Sequence, residues 1–236
     1  MKKLTIQQAE ILANKFRIEN GIGLAEPVDT KTLLRKLKAT AIYRPLSKNS
    51  YGISCKSKSG KMFFMINSNS TLGRQHFTIA HELYHMLYDE NPSPHICCGN
   101  TTIEEANADI FASALLMPRD GVYTMLSNEE IIDHKIKLTT ILRIEQLFQV
   151  SRSMLLYRLK GMGVISENLR QAIQSIPVKE SAVEYGYDKS LYEPGNEGVN
   201  IGDFGEKAKI LFDKGQISEG HYIELLNMIT HGREKN

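Results

Sequence analysis

The chain has 236 residues, 42% of them hydrophobic, enough to bury a core without covalent staples. A formal net charge of +2 supplies no global field to draw it to nucleic acid or to an anionic membrane. Cys55 and the adjacent Cys97 and Cys98 form no even, spaced framework, and neither an apolar leader nor a bilayer-length apolar run is present, so a cytoplasmic protein is expected.

From Thr5 to Glu19 the apolar residues Ile6, Ala9, Ala13 and Phe16 recur at helical spacing, and Asn20-Gly21 stops the helix. Asp29 is placed to cap a short helix through Leu33, Leu34 and Leu37. Residues 39–46, 51–55 and 61–67 favour strands and are separated by polar turns, which predicts a small antiparallel meander. The last of them, KMFFMIN, reads equally as a core strand or as an exposed edge that takes an extended substrate. After Gly73, FTIAHELYHMLYD is a helix ended by Asn91-Pro92 and Pro94, and IEEANADIFASALLMP is a second, closed by Pro118.

LTTILRIEQLFQVSRSMLLYRLKGMG reads as two helices about a turn at Gln149-Val150, with Ser151 as N-cap and Gly161 as stop, a shape like a helix-turn-helix. Residues from about 178 to 205 lack helical periodicity and read as a long loop, linker or lid. GEKAKILFDKGQISEGHYIELLNMI closes the chain as a helical pair. The organisation expected is 1–120 as one domain, 121–177 as a helical region, and 178–236 as loop plus helical pair.

The chemistry concentrates in H-E-L-Y-H, residues 81–85. Residues four apart share one helix face, so His81 and His85 can offer two imidazoles to one ion, while Glu82 sits roughly 100° round the helix, able to act as a base without being a ligand. Zinc at a catalytic site takes three protein ligands and keeps one position open. Glu105 on the second helix is the candidate third ligand, and Asp109, four residues on, is placed to accept the other ring N–H of a ligand histidine, His81 in the first instance. The rival use of Glu105 is a capping box with Thr102, but Thr101 and Glu104 offer the same box one residue earlier. His95, Cys97 and Cys98 lie between the two helices without the spacing of a second zinc site and read as loop packing or incidental thiols.

RQHFTIAHELYHMLYD followed by EEANADIFASALLMP resembles the paired signature of the ImmA/IrrE metallopeptidases, over roughly residues 5–160. That resemblance implies an α+β fold in which a small antiparallel sheet packs on zincin-like active-site helices, followed by the helix-turn-helix-like region. It implies His81, His85 and Glu105 as zinc ligands, Glu82 as base and Asp109 at the family's Asn/Asp position. Asn107 stands where a second Glu is frequent, and Tyr84 where Gly is common, which suggests that Tyr84 narrows or lines the cleft. The implied function is an intracellular bacterial endopeptidase that cleaves a helix-turn-helix repressor and so releases genes of a mobile element or stress response.

Two rival classes remain open on sequence. One is a protein that binds a repressor without cutting it; the other is a DNA-binding regulator, with Arg152, Arg158 and Lys160 on phosphates, against which the crowding of Met154, Leu155, Leu156 and Leu159 favours a structural helix pair. Tyr123, His134, Tyr157, Arg158, His221 and His231 are all possible oxyanion donors, and spacing selects none of them. Oligomeric state is not legible.

Overall fold

The computed structural model describes residues 2–89, 95–97 and 102–230. Helix α1 (Ile6–Glu19) starts at a capping box between Thr5 and Gln8 and buries Ala9, Ala13 and Phe16, the stripe its periodicity predicts. Asp29 caps α2 (Thr30–Lys36) by accepting from the Lys31 and Thr32 amides. The strands are β1 (Thr40–Arg44), β2 (Gly52–Lys56), β3 (Met62–Asn67), β4 (His95–Cys97) and β5 (Asn200–Ile201).

Among the described residues these form one sheet in the order β4-β2-β3-β1-β5. The α+β class holds, but the meander does not: β1 pairs with β3 in parallel, Thr40 opposite Phe63 through Arg44 opposite Asn67, while β2 pairs antiparallel to β3. The cause lies in residues 45–51, which cross the end of β3 instead of turning back. Buried Asn67 holds that crossing, accepting from the Leu46 amide at 3.0 Å and donating to the Ser47 and Ser50 carbonyls at 3.1 and 2.7 Å. Since β3 is paired on both sides, KMFFMIN is a core strand and offers no edge to a substrate; the edges are β4 and β5.

Helices α3 (Leu72–Tyr88) and α4 (Ile103–Leu116) pack on each other and on the sheet. Ala80, Ala108 and Ala112 are buried at their contact, and such small side chains let helix backbones approach closely. Gly52 is required on the sheet side, since a Cβ there would lie 2.7 Å from Thr78 Cγ2 of α3. The proline stop expected at 91–94 lies outside the described residues.

Short helices α5 (Arg119–Tyr123) and α6 (Asn128–Asp133) lead to α7 (Leu138–Phe148) and α8 (Arg152–Gly161). Gln149 takes the left-handed conformation, φ +54°, between them and Ser151 caps α8. Ile144, Phe148, Leu155, Leu156 and Leu159 belong to the same buried cluster as Ile79, Leu83, Phe111 and Leu115. Arg152 and Arg158 are buried too, Arg152 against Glu145 at 2.7 Å and Arg158 against Glu10 at 2.9 Å. They are therefore structural cations, out of reach of DNA phosphates.

Helix α9 (Glu167–Gln174) is followed by α10 (Val178–Glu184), a 3-10 turn at Lys189–Tyr192, and β5. The stretch expected to be a loop or lid is thus folded onto the body. Tyr192 donates to Glu145 at 2.6 Å, Arg152 donates to Ser181 at 3.1 Å, and β5 pairs antiparallel with β1. The helical pair α11 (Phe204–Asp213) and α12 (Glu219–Thr230) ends the described residues, and among them no helix is long and apolar enough to cross a membrane.

Candidate metal centre

Helix α3 carries His81, Glu82 and His85, all at most 3% exposed. Its start is locked by close packing: a Cβ on Gly73 would come within 2.8 Å of the Ser151 backbone nitrogen, so the turn between α7 and α8 sets the position of α3. His76 Nδ1 meets the Gln149 carbonyl oxygen at 3.0 Å on the same contact.

The helical repeat brings His81 Nε2 and His85 Nε2 to 3.1 Å from each other. Glu105 enters from α4, one carboxylate oxygen 3.2 Å from His81 Nε2 and the other 3.5 Å from His85 Nε2. A tetrahedral zinc ion with ligand distances of about 2.0–2.1 Å holds its donors about 3.3 Å apart, close to the spacing of these contacts, in which Glu105 meets the two imidazoles through different oxygens. Glu105 is free for this because Thr102 caps α4 through the Glu105 amide, while the Glu104 carboxylate bonds the Thr102 side chain.

Each imidazole is held from behind by a carboxylate. Asp109 lies 2.9 Å from His81 Nδ1, as the spacing suggested, and Asp89 lies 2.6 Å from His85 Nδ1. A carboxylate only accepts, so these contacts place an N–H on each Nδ1, with both Nε2 atoms facing inward. Asp89 was missed, although it stands four residues after His85 and the i, i+4 rule that pairs the histidines would have found it.

Glu82 is fully buried beside this cluster. The Ser54 hydroxyl of β2 donates to its Oε2, and His95 Nδ1 lies 3.0 Å from the same oxygen. His95 Nε2 in turn lies 2.7 Å from Glu105, and its ring stacks on His85 with centroids 4.0 Å apart. Reading His95 as loop packing is therefore corrected: β4 brings it between Glu82 and Glu105. Cys97 lies near His81 and Glu105, and Cys98 is outside the described residues.

The electrostatics follow from this crowding. Burial disfavours the His81 imidazolium, but its bonds to Asp109 and Glu105 outweigh that and raise its pKa to about 9. Bonds to Glu105 and Glu82 raise His95 to about 10. Burial raises the Glu105 carboxyl, yet the His81 and His95 imidazoles hold it well below the usual carboxylate range. His85 is lowered by burial, with Asp89 opposing and His81 and His95 adding to the shift. Four carboxylates around three imidazoles form a site whose net field favours a bound cation.

A cavity of about 400 Å³ opens beside the centre, lined by His81, Glu105, Asp109, Phe77, Met154 and Tyr157 among others. Of the possible oxyanion donors, Tyr157 lines it. Arg158 is spent on Glu10 and the Met117 carbonyl, Tyr123, His134 and His221 are not in its lining, and His231 is outside the described residues. A larger cavity of about 570 Å³ shares Ser153 and Tyr157 but contains none of the candidate ligands. Tyr84 does not line the cleft: it is 2% exposed, packed on Phe111 with ring centroids 5.5 Å apart, and bonded to Asn107. Asn107 also binds the Leu4 amide and the Lys2 carbonyl, so both departures from the family pattern serve packing.

The sequence model of a peptidase family described as the IrrE N-terminal-like domain matches residues 34–160, more than half of the chain. The matched stretch runs from α2 into α8 and takes in every candidate ligand and the helix pair. None of the curated proteins matches the chain.

Proposed function

Because the chain belongs to the IrrE N-terminal-like domain family of metallopeptidases, we propose that it is a zinc-dependent endopeptidase with His81, His85 and Glu105 as ligands and Glu82 as general base. The observation that carries this reading is the convergence of the His81 and His85 Nε2 atoms, 3.1 Å apart, on the Glu105 carboxylate, whose two oxygens lie 3.2 and 3.5 Å from them. Zinc held by these side chains would supply Lewis acidity, polarising a peptide carbonyl and lowering the pKa of water to about 7.

The chain's own residues account for the remaining requirements. Asp109 and Asp89 hold the two imidazoles in the tautomer that presents Nε2. Glu82 Oε2 accepts from Ser54, and His95 Nδ1 lies 3.3 and 3.0 Å from Oε1 and Oε2, contacts that orient the carboxylate to take a proton from the attacking water and pass it to the departing amine. Tyr157, half exposed in the cavity wall, is placed to donate to the oxyanion. The apolar walls at Phe77 and Met154 exclude water from the reacting bond.

The substrate reading is a helix-turn-helix repressor, cut in the cytoplasm to release genes of a mobile element or a stress response; its support is the likeness to ImmA/IrrE peptidases. A role as DNA-binding regulator loses its main contacts with Arg152 and Arg158 buried. The deciding experiment is metal content by mass spectrometry on wild type, His85→Ala and Glu105→Ala. Wild type holds about one zinc per chain and both variants lose it; a wild type that stays metal-free when zinc is supplied, or a Glu105→Ala variant that binds normally, overturns the ligand set.

A further inference from the structure

The cavity beside the metal centre holds a cation that the ligand set and the base do not use. Arg74 stands seven residues before His81 on α3, close to two full turns. The two side chains therefore leave one face of the helix, roughly 10 Å apart along its axis, and both line the cavity. Among the described residues Arg74 is the one Arg or Lys in that wall.

Its guanidinium carbon sits over the Tyr51 ring, 4.4 Å from the ring centroid, a cation–π contact. Tyr51 is itself held at both backbone groups: its amide donates to the Cys97 carbonyl at 2.8 Å, and its carbonyl accepts from the Asn67 amide at 3.0 Å. The cation is thus positioned without being neutralised. Arg74 makes no ion pair among the described residues, and the carboxylates that share its cavity, Glu105 and Asp109, are turned to His81. It also occupies the first turn of α3, which carries no acidic residue and where a positive charge opposes the helix macrodipole. Helix stability alone would place a different residue there.

We propose that Arg74 is a specificity residue, receiving an Asp or Glu side chain of the bound peptide two to four residues from the scissile bond. The inference rests on the zinc-peptidase reading above and extends it to the choice of substrate. An extended chain rises about 3.3 Å per residue, so the span from His81 to Arg74 corresponds to about three residues. A planar guanidinium kept in place by an aromatic ring meets a carboxylate through two parallel N–H bonds. Glu105 and Asp109 repel an acidic side chain from the other wall, so the same charges fix the register of the peptide.

The test is cleavage of a mixed-sequence peptide library by the full chain loaded with zinc, with the cut sites read by mass spectrometry. Wild type favours Asp or Glu over Asn or Gln by about tenfold at one position two to four residues from the cut. Arg74→Gln loses that preference, and Arg74→Glu shifts it to Lys or Arg at the same position; both variants hold zinc as wild type does. Arg74→Glu places an anion at a helix start, which favours the fold, so its melting curve separates altered selection from unfolding. An acidic preference that survives Arg74→Glu, or a wild type that cuts without one, overturns the proposal and leaves the peptidase reading standing. Loss of all cutting in a folded, zinc-loaded Arg74→Gln chain also overturns it, because the side chain would then serve the chemistry and not selection. A folded, zinc-loaded wild type that cuts no peptide removes the peptidase reading and the specificity residue together.

Discussion

The duties proposed for Glu82 and Asp109 at the same centre are separable, and substitution distinguishes them. Glu82→Gln keeps the shape and the Ser54 contact but removes the base, so peptide cleavage falls by about 10²–10⁴ while metal content stays at the wild-type level; a variant that still cleaves at the wild-type rate excludes Glu82 as base. Asp109→Asn acts on the metal instead. With the acceptor behind His81 Nδ1 weakened, zinc affinity drops by about 10–100-fold, measured by competition with a chromogenic chelator. The convergence of His81, His85, Glu105 and Asp109 was legible because helical periodicity turns spacing into geometry: four residues separate His81 from His85, and four separate Glu105 from Asp109. His95 was not legible. Between two helices, spacing says nothing about direction, and β4 pairs with a strand some forty positions earlier, a partnership that local pattern does not encode.

The elements show the same contrast between local and non-local information. Caps at Asp29 and Ser151, and the paired helices α7 and α8, were readable because a helix start is written in four or five consecutive residues. The parallel pairing of β1 with β3 was not, since a polar connection of seven residues looks like a hairpin turn until Asn67 is seen to hold it across the sheet end. Residues 178–205 looked unstructured because α10 and the 3-10 turn are too short to show a period, and because their order comes from Glu145, Arg152, Ser181 and Tyr192 meeting across separate elements. Arg152→Ala leaves the Glu145 carboxylate buried and unpaired with its cation, a loss of about 3–5 kcal/mol. For a chain of this size, that lowers the melting temperature by about 10 °C, read by circular dichroism. A melting curve that does not move would return Arg152 to the candidates for surface binding.

At the scale of the whole molecule, α3, α4 and the helix pair share one apolar interior, running from Ala13 through Ile201. The pair shaped like a helix-turn-helix therefore acts as a buttress, pressing its turn on the start of α3. A chain cut after residue 177 loses Tyr192, the partner of Glu145, and loses the whole of β5. It is expected to melt lower and to aggregate, as followed by light scattering during heating; equal solubility would show that β5 is dispensable.

Strand β5 also sets a schedule. A ribosome delivers both active-site helices well before residue 200, at about 5–20 residues per second. For on the order of ten seconds the nascent chain holds a nearly finished centre while the outer border of β1 has no partner to pair with. Within that interval a second emerging copy is the nearest source of a strand, so crowded translation of this message favours mispairing between neighbouring chains, and slower initiation relieves it.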